Sequence, residues 1–239
     1  MTTTFYAPPE RFHDGRVTLP DDEAHHAVRA LRHGVGDVIV VVDGAGGRYR
    51  VRLTEAGKHG AAGEVVEERR EAGEPPYRLT IGLGTLKNAG RFETFAEKAV
   101  ELGVSRIVRL ATERTERERV KERRLENILV AAMKQSGRSR LPELAGPMDF
   151  ADALRSDDAL RILCHESADP AAALPRVLDG AAESITIFVG PEGGFSEAEV
   201  AAAEAAGWAV ASLGPHRLRA ETAAITAAAA VMLHFATRS

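Results

Sequence analysis

The chain has one cysteine among its 239 residues, Cys164. That excludes an intrachain disulfide and any metal cluster built from thiolates. Cys164 ends the apolar run 160–164, where a buried strand cysteine is expected rather than a nucleophile. No run is long and apolar enough to cross a bilayer; the longest stretch of small apolar residues, 223–236, is too short and too interrupted. The opening residues 1–8 lack the charged-then-apolar layout of a signal peptide. A soluble, cytoplasmic protein with no membrane partner is expected. His25, His26 and His33 have no cysteine or acidic partner at metal-ligand spacing, so no metal is expected.

A large excess of charge is also missing. The net charge of −4 argues against a general nucleic-acid binder. The average conceals an asymmetry. Residues 1–74 carry 10 Lys/Arg against 13 Asp/Glu, residues 78–140 carry 15 against 8, and residues 141–239 carry 6 against 14. A basic middle third on an acidic chain is a candidate polyanion-facing surface. Within it, the run 113–124 mixes both signs and reads as a solvated helix face with i,i+4 pairs.

The hydrophobic fraction of 44% supports a real core, and the length suits one large domain or two modest ones. Residues 1–72 read as mostly β. Residues 37–43 form an apolar run ending at the turn signal Asp43-Gly44, residues 48–53 alternate polar and apolar, and a further strand starts at Gly63. One short helix is expected over 23–33. Short strands at this spacing suggest a small barrel. Glu71-Ala-Gly-Glu-Pro-Pro76 reads as a linker. From residue 73 to 239 strands and helices alternate. Strands are expected at 78–83, 105–110, 160–164, 185–189 and 208–213. Helices are expected at 92–102, 118–135, from Ser196 to Gly207, and at 221–235. Ser196 and Glu199 form a Ser-x-x-Glu capping box. This rhythm predicts a parallel sheet with helices on its faces, an α/β domain.

Two glycine-bearing loops fall between strands and helices: Gly190-Pro-Glu-Gly-Gly194, and the stretch from Leu213 and Gly214 to Thr222. Loops at the C-terminal ends of parallel strands are where open sheets bind ligands. The first loop matches neither Gly-x-Gly-x-x-Gly nor the P-loop, no lysine follows it, and Glu192 would repel a phosphate. A cationic or neutral ligand suits it better. A tight turn whose glycines serve geometry alone explains the first loop equally well. It does not explain the clustering of Arg217, Arg219 and Glu221 beside a glycine in the second.

Taken together, Gly190-Pro-Glu-Gly-Gly-Phe-Ser-x-x-Glu and Leu213-Gly-x-x-x-Leu-Arg-x-Glu-Thr-Ala223 resemble the small-subunit ribosomal RNA (16S) uridine-N3 methyltransferases of the SPOUT superfamily. Lys98-Ala-Val-Glu-Leu-Gly-Val104, Gln135-Ser-Gly-Arg-Ser-Arg-Leu-Pro142, His26-Ala-Val-Arg-Ala-Leu-Arg32 and Asp43-Gly44 extend the likeness in order over nearly the whole chain. His216 and Arg217 depart from the family's usual basic-then-aliphatic pair. The resemblance implies a PUA-like β-barrel that binds RNA (1–72), then a domain with a SPOUT-type trefoil knot (73–239), and a homodimer. It implies S-adenosyl-L-methionine held by Leu163, Gly190, Glu192, Gly193, Gly194, Leu213, Gly214, Leu218, Thr222 and Ala223.

Methyl transfer to the uridine N3 must remove its proton. Glu221 is the candidate base, with Glu192 as the alternative, and Arg219 the candidate stabiliser of charge on the uracil oxygens. Arg29, Arg32, Lys87, Arg138 and Arg140 are candidate RNA contacts, with small-subunit ribosomal RNA as partner. The alternatives are another SPOUT enzyme, acting on a ribose 2′-hydroxyl or on tRNA, and a non-catalytic RNA-binding ribosome-assembly protein.

Overall fold

The computed structural model describes residues 3–115, 121–180 and 183–237. The chain forms two compact units, Met1–Glu74 with Leu129–Leu141, and Pro75–Ile128 with Pro142–Ser239. The division expected at residue 72 had placed 129–141 with the second unit; here it groups with the first.

In the first unit, β1 (Thr4–Tyr6), β2 (Phe12–His13), β3 (Arg16–Thr18), β4 (Val38–Val42), β5 (Gly47–Gly57) and β6 (Gly60–Arg70) form one sheet in the order β1-β4-β5-β6-β3-β2. β1 joins β4 in parallel and the other pairs are antiparallel. The alternation read in the sequence sets the faces of β5. Tyr49, Val51 and Leu53 point into the core, and Arg50 and Arg52 point to solvent. Two register shifts between β5 and β6 bend the ladder and curl the sheet. Its inner face packs Phe5, Val17, Ile39, Val41, Val51 and Leu53.

The helix expected over 23–33 is divided. α1 (Asp21–His25) runs into a π-helical turn, His26–Ala30, and Arg32 then takes a left-handed φ of 60° that ends the coil. At the expected turn, Asp43 accepts from the amides of Ala45 (2.7 Å) and Gly47 (2.8 Å) and from the Tyr49 hydroxyl (3.0 Å). Burial, with that bond to Asp43, pushes the Tyr49 hydroxyl up to about 12.

The segment at the end of α3 (Glu122–Ser136) is tied to this unit by backbone and carboxylates. Leu141 N–H donates to Gly44 O (2.9 Å) and Gly46 N–H to Ser139 O (3.0 Å). One oxygen of Glu74 accepts from the amides of Ser139 (2.8 Å) and Arg140 (2.9 Å). The other accepts from Arg138 Nε (3.1 Å) and Nη2 (2.7 Å). Glu71 pairs with Arg140, and Glu23 with Lys134. The start of the expected helix, residues 118–120, lies outside the described residues.

In the second unit, β7 (Arg78–Gly84), β8 (Arg106–Ala111), β9 (Glu143–Asp149), β10 (Leu160–Cys164), β11 (Ser184–Val189) and β12 (Ala209–Ala211) form a sheet in the order β12-β10-β11-β7-β8-β9. Every pair is parallel. Parallel strands need crossovers, and most of these carry helices: α2 (Ala89–Glu101), α3, α4 (Phe150–Ala153), α5 (Leu174–Val177) and α6 (Glu197–Ala205), with α7 (Ala220–Ala236) closing the chain. α7 packs on α2, β7 and β11, α4 on β8 and β9, and α6 on β12. Trp208 is buried, stacks on Phe188 at 4.3 Å and donates to Leu154 O at 3.1 Å.

β9 was not among the expected strands, and it contains Pro147, which a strand interior disfavours. It sits at the sheet edge, where a proline's missing N–H costs no ladder bond, and its register shifts at that point. The chain is thus a mixed α/β protein with one curled sheet and one parallel sheet. Among the described residues, no helix is long and apolar enough to cross a membrane.

Candidate functional site

Strand order reverses beside β7: β8 and β9 lie on one side, and β11, β10 and β12 on the other. Ligands in open α/β sheets bind at the carboxyl ends of strands around such a reversal. There, the ends of β10, β11 and β12 open onto a cavity of about 510 Å³. Its wall consists of residues 164–166, 189–195 and 212–220, with Ala223. The volume falls in the range of small-molecule sites.

The first glycine loop is closed tightly on itself. A Cβ on Gly190 would lie 2.9 Å from Gly194 C and Phe195 N, so only hydrogen fits. Gly194 N–H donates to Pro191 O at 2.8 Å. The expected capping box is present: Ser196 caps α6, and Glu199 Oε2 accepts from Ser196 N–H at 2.8 Å. Glu199 Oε1 accepts from Glu113 N–H at 2.9 Å, and Arg114 Nη1 donates to Gly193 O at 2.7 Å. These two residues come from the mixed-charge run read as a solvated helix face. They lie instead in the turn after β8, while residues 116–120 lie outside the described residues. The second loop is open: Gly214 takes a φ of 112°, and a Cβ there would meet nothing within 4 Å among the described residues. A side chain would stand in this open space, where a ligand could lie.

The expected donor residues Gly190, Glu192, Gly193, Gly194, Leu213, Gly214, Leu218 and Ala223 come together on this one wall. Leu163 does not reach it. Its side chain is buried in the core, and β10 presents Cys164 to the cavity instead. Thr222 is exposed and off the wall, its carbonyl accepting from Thr226 Oγ1 at 2.8 Å. Arg219 is on the wall, exposed, at the N-cap of α7. Glu221 is 8% exposed and lies behind the wall.

Arg91, on α2, was not anticipated. Its Nη1 lies 3.5 Å from Glu192 Oε1 and its Nε 3.8 Å from Glu221 Oε1. Glu192 also accepts from Lys87 N–H at 3.3 Å. The acid in the first loop therefore faces an arginine, and its charge by itself no longer argues for a cationic ligand. The only signal for Arg91 was a basic residue at the edge of an expected helix. Among the expected RNA contacts, Arg29, Arg32 and Lys87 are exposed, Arg140 is half-exposed beside Glu71, and Arg138 is buried against Glu74.

Burial pushes the Cys164 thiol up to about 12. It stays a thiol across the range in which the protein is handled. Native protein at pH 8 is expected to give no reaction with a disulfide reagent, and unfolded protein one equivalent. Reaction of the native thiol within minutes would refute this assignment.

A model of an RNA methyltransferase domain matches residues 73–232, and a model of an RNA methyltransferase PUA domain matches residues 19–66. The "Ribosomal RNA small subunit methyltransferase E" of Synechocystis sp. is 32% identical over 229 residues, 93% of this chain and 75% of that protein. A probable rRNA-methyltransferase from Porphyromonas gingivalis is 33% identical, with a TM-score of 0.89 over 99% of this chain and 100% of the other. The ribosomal RNA small subunit methyltransferase E of Neisseria gonorrhoeae, solved bound to S-adenosyl methionine, is 30% identical, with a TM-score of 0.83 over 98% of each chain. On sequence and fold alike, over nearly its whole length, the chain belongs to the ribosomal RNA small subunit methyltransferase E family.

Proposed function

We propose that this protein methylates the N3 of a uridine in small-subunit ribosomal RNA with S-adenosyl-L-methionine as donor. The observation that carries the reading is the cavity at the strand ends. It is walled by two glycine loops, in a chain whose relative from N. gonorrhoeae was solved bound to that donor. Gly190, Gly193 and Gly194 of the first loop and Leu213, Gly214, Leu218 and Ala223 of the second would hold it, mostly by backbone groups. The donor supplies a methyl group on a sulfonium, already attached to its leaving group.

The chain's own part is to orient the uracil and adjust its charge. Arg219, exposed on the wall, is assigned to stabilise negative charge on the uracil oxygens. The N3 proton is assigned to pass to solvent. Glu221, the base expected from the sequence, is assigned instead to hold Arg91. Its burial off the wall supports this.

The match of residues 73–232 to an RNA methyltransferase domain supports a SPOUT-type trefoil knot in the second unit. The match to a PUA domain supports a PUA-like, RNA-binding barrel in the first. Arg29, Arg32, Lys87 and Arg140 are assigned to phosphate contacts, and the enzyme to a cytoplasmic homodimer.

Small-subunit RNA incubated with protein and donor, digested to nucleosides and weighed by mass spectrometry, is expected to yield 3-methyluridine. A 2′-O-methylated nucleoside, or methylation of tRNA alone, would overturn the uracil assignment. Failure to bind S-adenosyl-L-homocysteine would favour a non-catalytic RNA-binding protein. Glu221→Gln is expected to keep its turnover at saturating donor; loss of turnover with donor bound would restore Glu221 as the base.

A further inference from the structure

We infer that Arg91 is a positioning residue that locks the two glycine loops in register, and that donor affinity depends on it. The inference rests on the donor reading of the cavity. Three segments meet at this side chain. Arg91 stands in the first turn of α2, started by Asn88, whose side chain accepts from Gly90 N–H at 2.8 Å. Its guanidinium lies between Glu192 of the first loop, at 3.5 Å, and Glu221 in the first turn of α7, at 3.8 Å.

Glu221 gives this arrangement its weight. Its carboxylate is nearly buried, and its Oε2 has no hydrogen-bond partner among the described residues. A carboxylate in that position is tolerated only beside a positive charge. Its neighbours Arg219, Ala220 and Ala223 form part of the cavity wall. Taking Arg91 away leaves the Glu221 charge uncompensated beneath the second loop. It also releases Glu192, which is then held by the Lys87 amide at 3.3 Å. Both walls of the cavity lose the same brace. Arg91 touches neither reacting atom and is absent from the wall, so its effect reaches the donor only through the loops.

The test is calorimetric titration of S-adenosyl-L-homocysteine into the full chain and its variants, with folding followed by circular dichroism. Arg91→Gln is expected to weaken binding about tenfold or more, within the range of coupled neighbours. Arg91→Lys keeps the charge but offers a single head, so it is expected to fall between wild type and Arg91→Gln. The double variant Arg91→Gln/Glu192→Gln is expected to bind no worse than Arg91→Gln, because the shared contact is already lost. The donor KM is expected to rise while kcat at saturating donor stays within about twofold.

A folded Arg91→Gln that binds like wild type overturns the inference. So do losses from Arg91→Gln and Glu192→Gln that multiply in the double variant. If Arg91→Gln does not fold, Arg91→Lys decides: affinity equal to wild type overturns the proposal, and a reproducible loss supports it. Wild type failing to bind would sink the donor reading itself, a different result from wild type and Arg91→Gln binding alike.

Discussion

Replacing Glu74 with alanine is expected to destabilise the protein by about 3–5 kcal/mol, the cost of removing one member of a buried ion pair. Arg138 and Glu74 are 4% and 7% exposed at their side chains. Removing the carboxylate takes away the acceptor of Arg138 Nε and Nη2. It also strips an acceptor from the amides of Ser139 and Arg140. The reverse change, Arg138→Met, should cost less, because the carboxylate left behind keeps both amide donors. Urea unfolding of the full chain, followed by circular dichroism, measures both. Equal losses, or a Glu74→Ala loss below 1 kcal/mol, would show that the pair does not hold the segment. Arg138→Met should also leave RNA affinity and its salt dependence unchanged, since a guanidinium buried against Glu74 makes no phosphate contact.

Gly84→Ala is the second large effect. Gly84 ends β7, and a Cβ there would run into the ring and backbone nitrogen of Pro191 and lie 3.0 Å from Gly190 C. Backbone cannot swing aside as a flexible side chain can, so the first glycine loop must shift. Overpacking of this kind costs about 1–3 kcal/mol in stability. The functional loss should be larger in proportion, because the displaced segment is the cavity wall. A misplacement near 1 Å lowers turnover on the order of 100-fold. Calorimetry with S-adenosyl-L-homocysteine and a methylation assay, run beside a thermal melt, separate the two effects. A variant with normal donor affinity and turnover would mean that the loop tolerates the shift.

How legible was this molecule before its structure? The apolar runs of the parallel strands are strong signals. Ile185, Ile187, Phe188 and Val189 lie in a strand covered on both faces, which leaves little room for another reading. The capping box at Ser196 was equally plain, because both partners lie within four residues. What could not be read is long-range and electrostatic. Pro147 argues against a strand unless one knows that the strand lies at an edge. Arg138 looks like a surface cation until Glu74, 64 residues earlier, is found against it. Neither Arg91 nor Arg114 showed its partner in the sequence, because a charged side chain declares its partner only once the chain is folded. The glycine loops were located from sequence, but the residues that brace them from α2 and from the turn after β8 were not.

Glu199 shows what such bracing means for substitution. In a capping box, glutamate and glutamine are usually interchangeable, since one oxygen is enough to receive the N-cap amide. Here both oxygens are occupied, one by Ser196 N–H and the other by Glu113 N–H. A glutamine has a single acceptor oxygen and would turn an NH₂ group toward one of two donors. A swap that a helix alone would accept is therefore closed at this position. The local rule permits two residues, and the fold permits one.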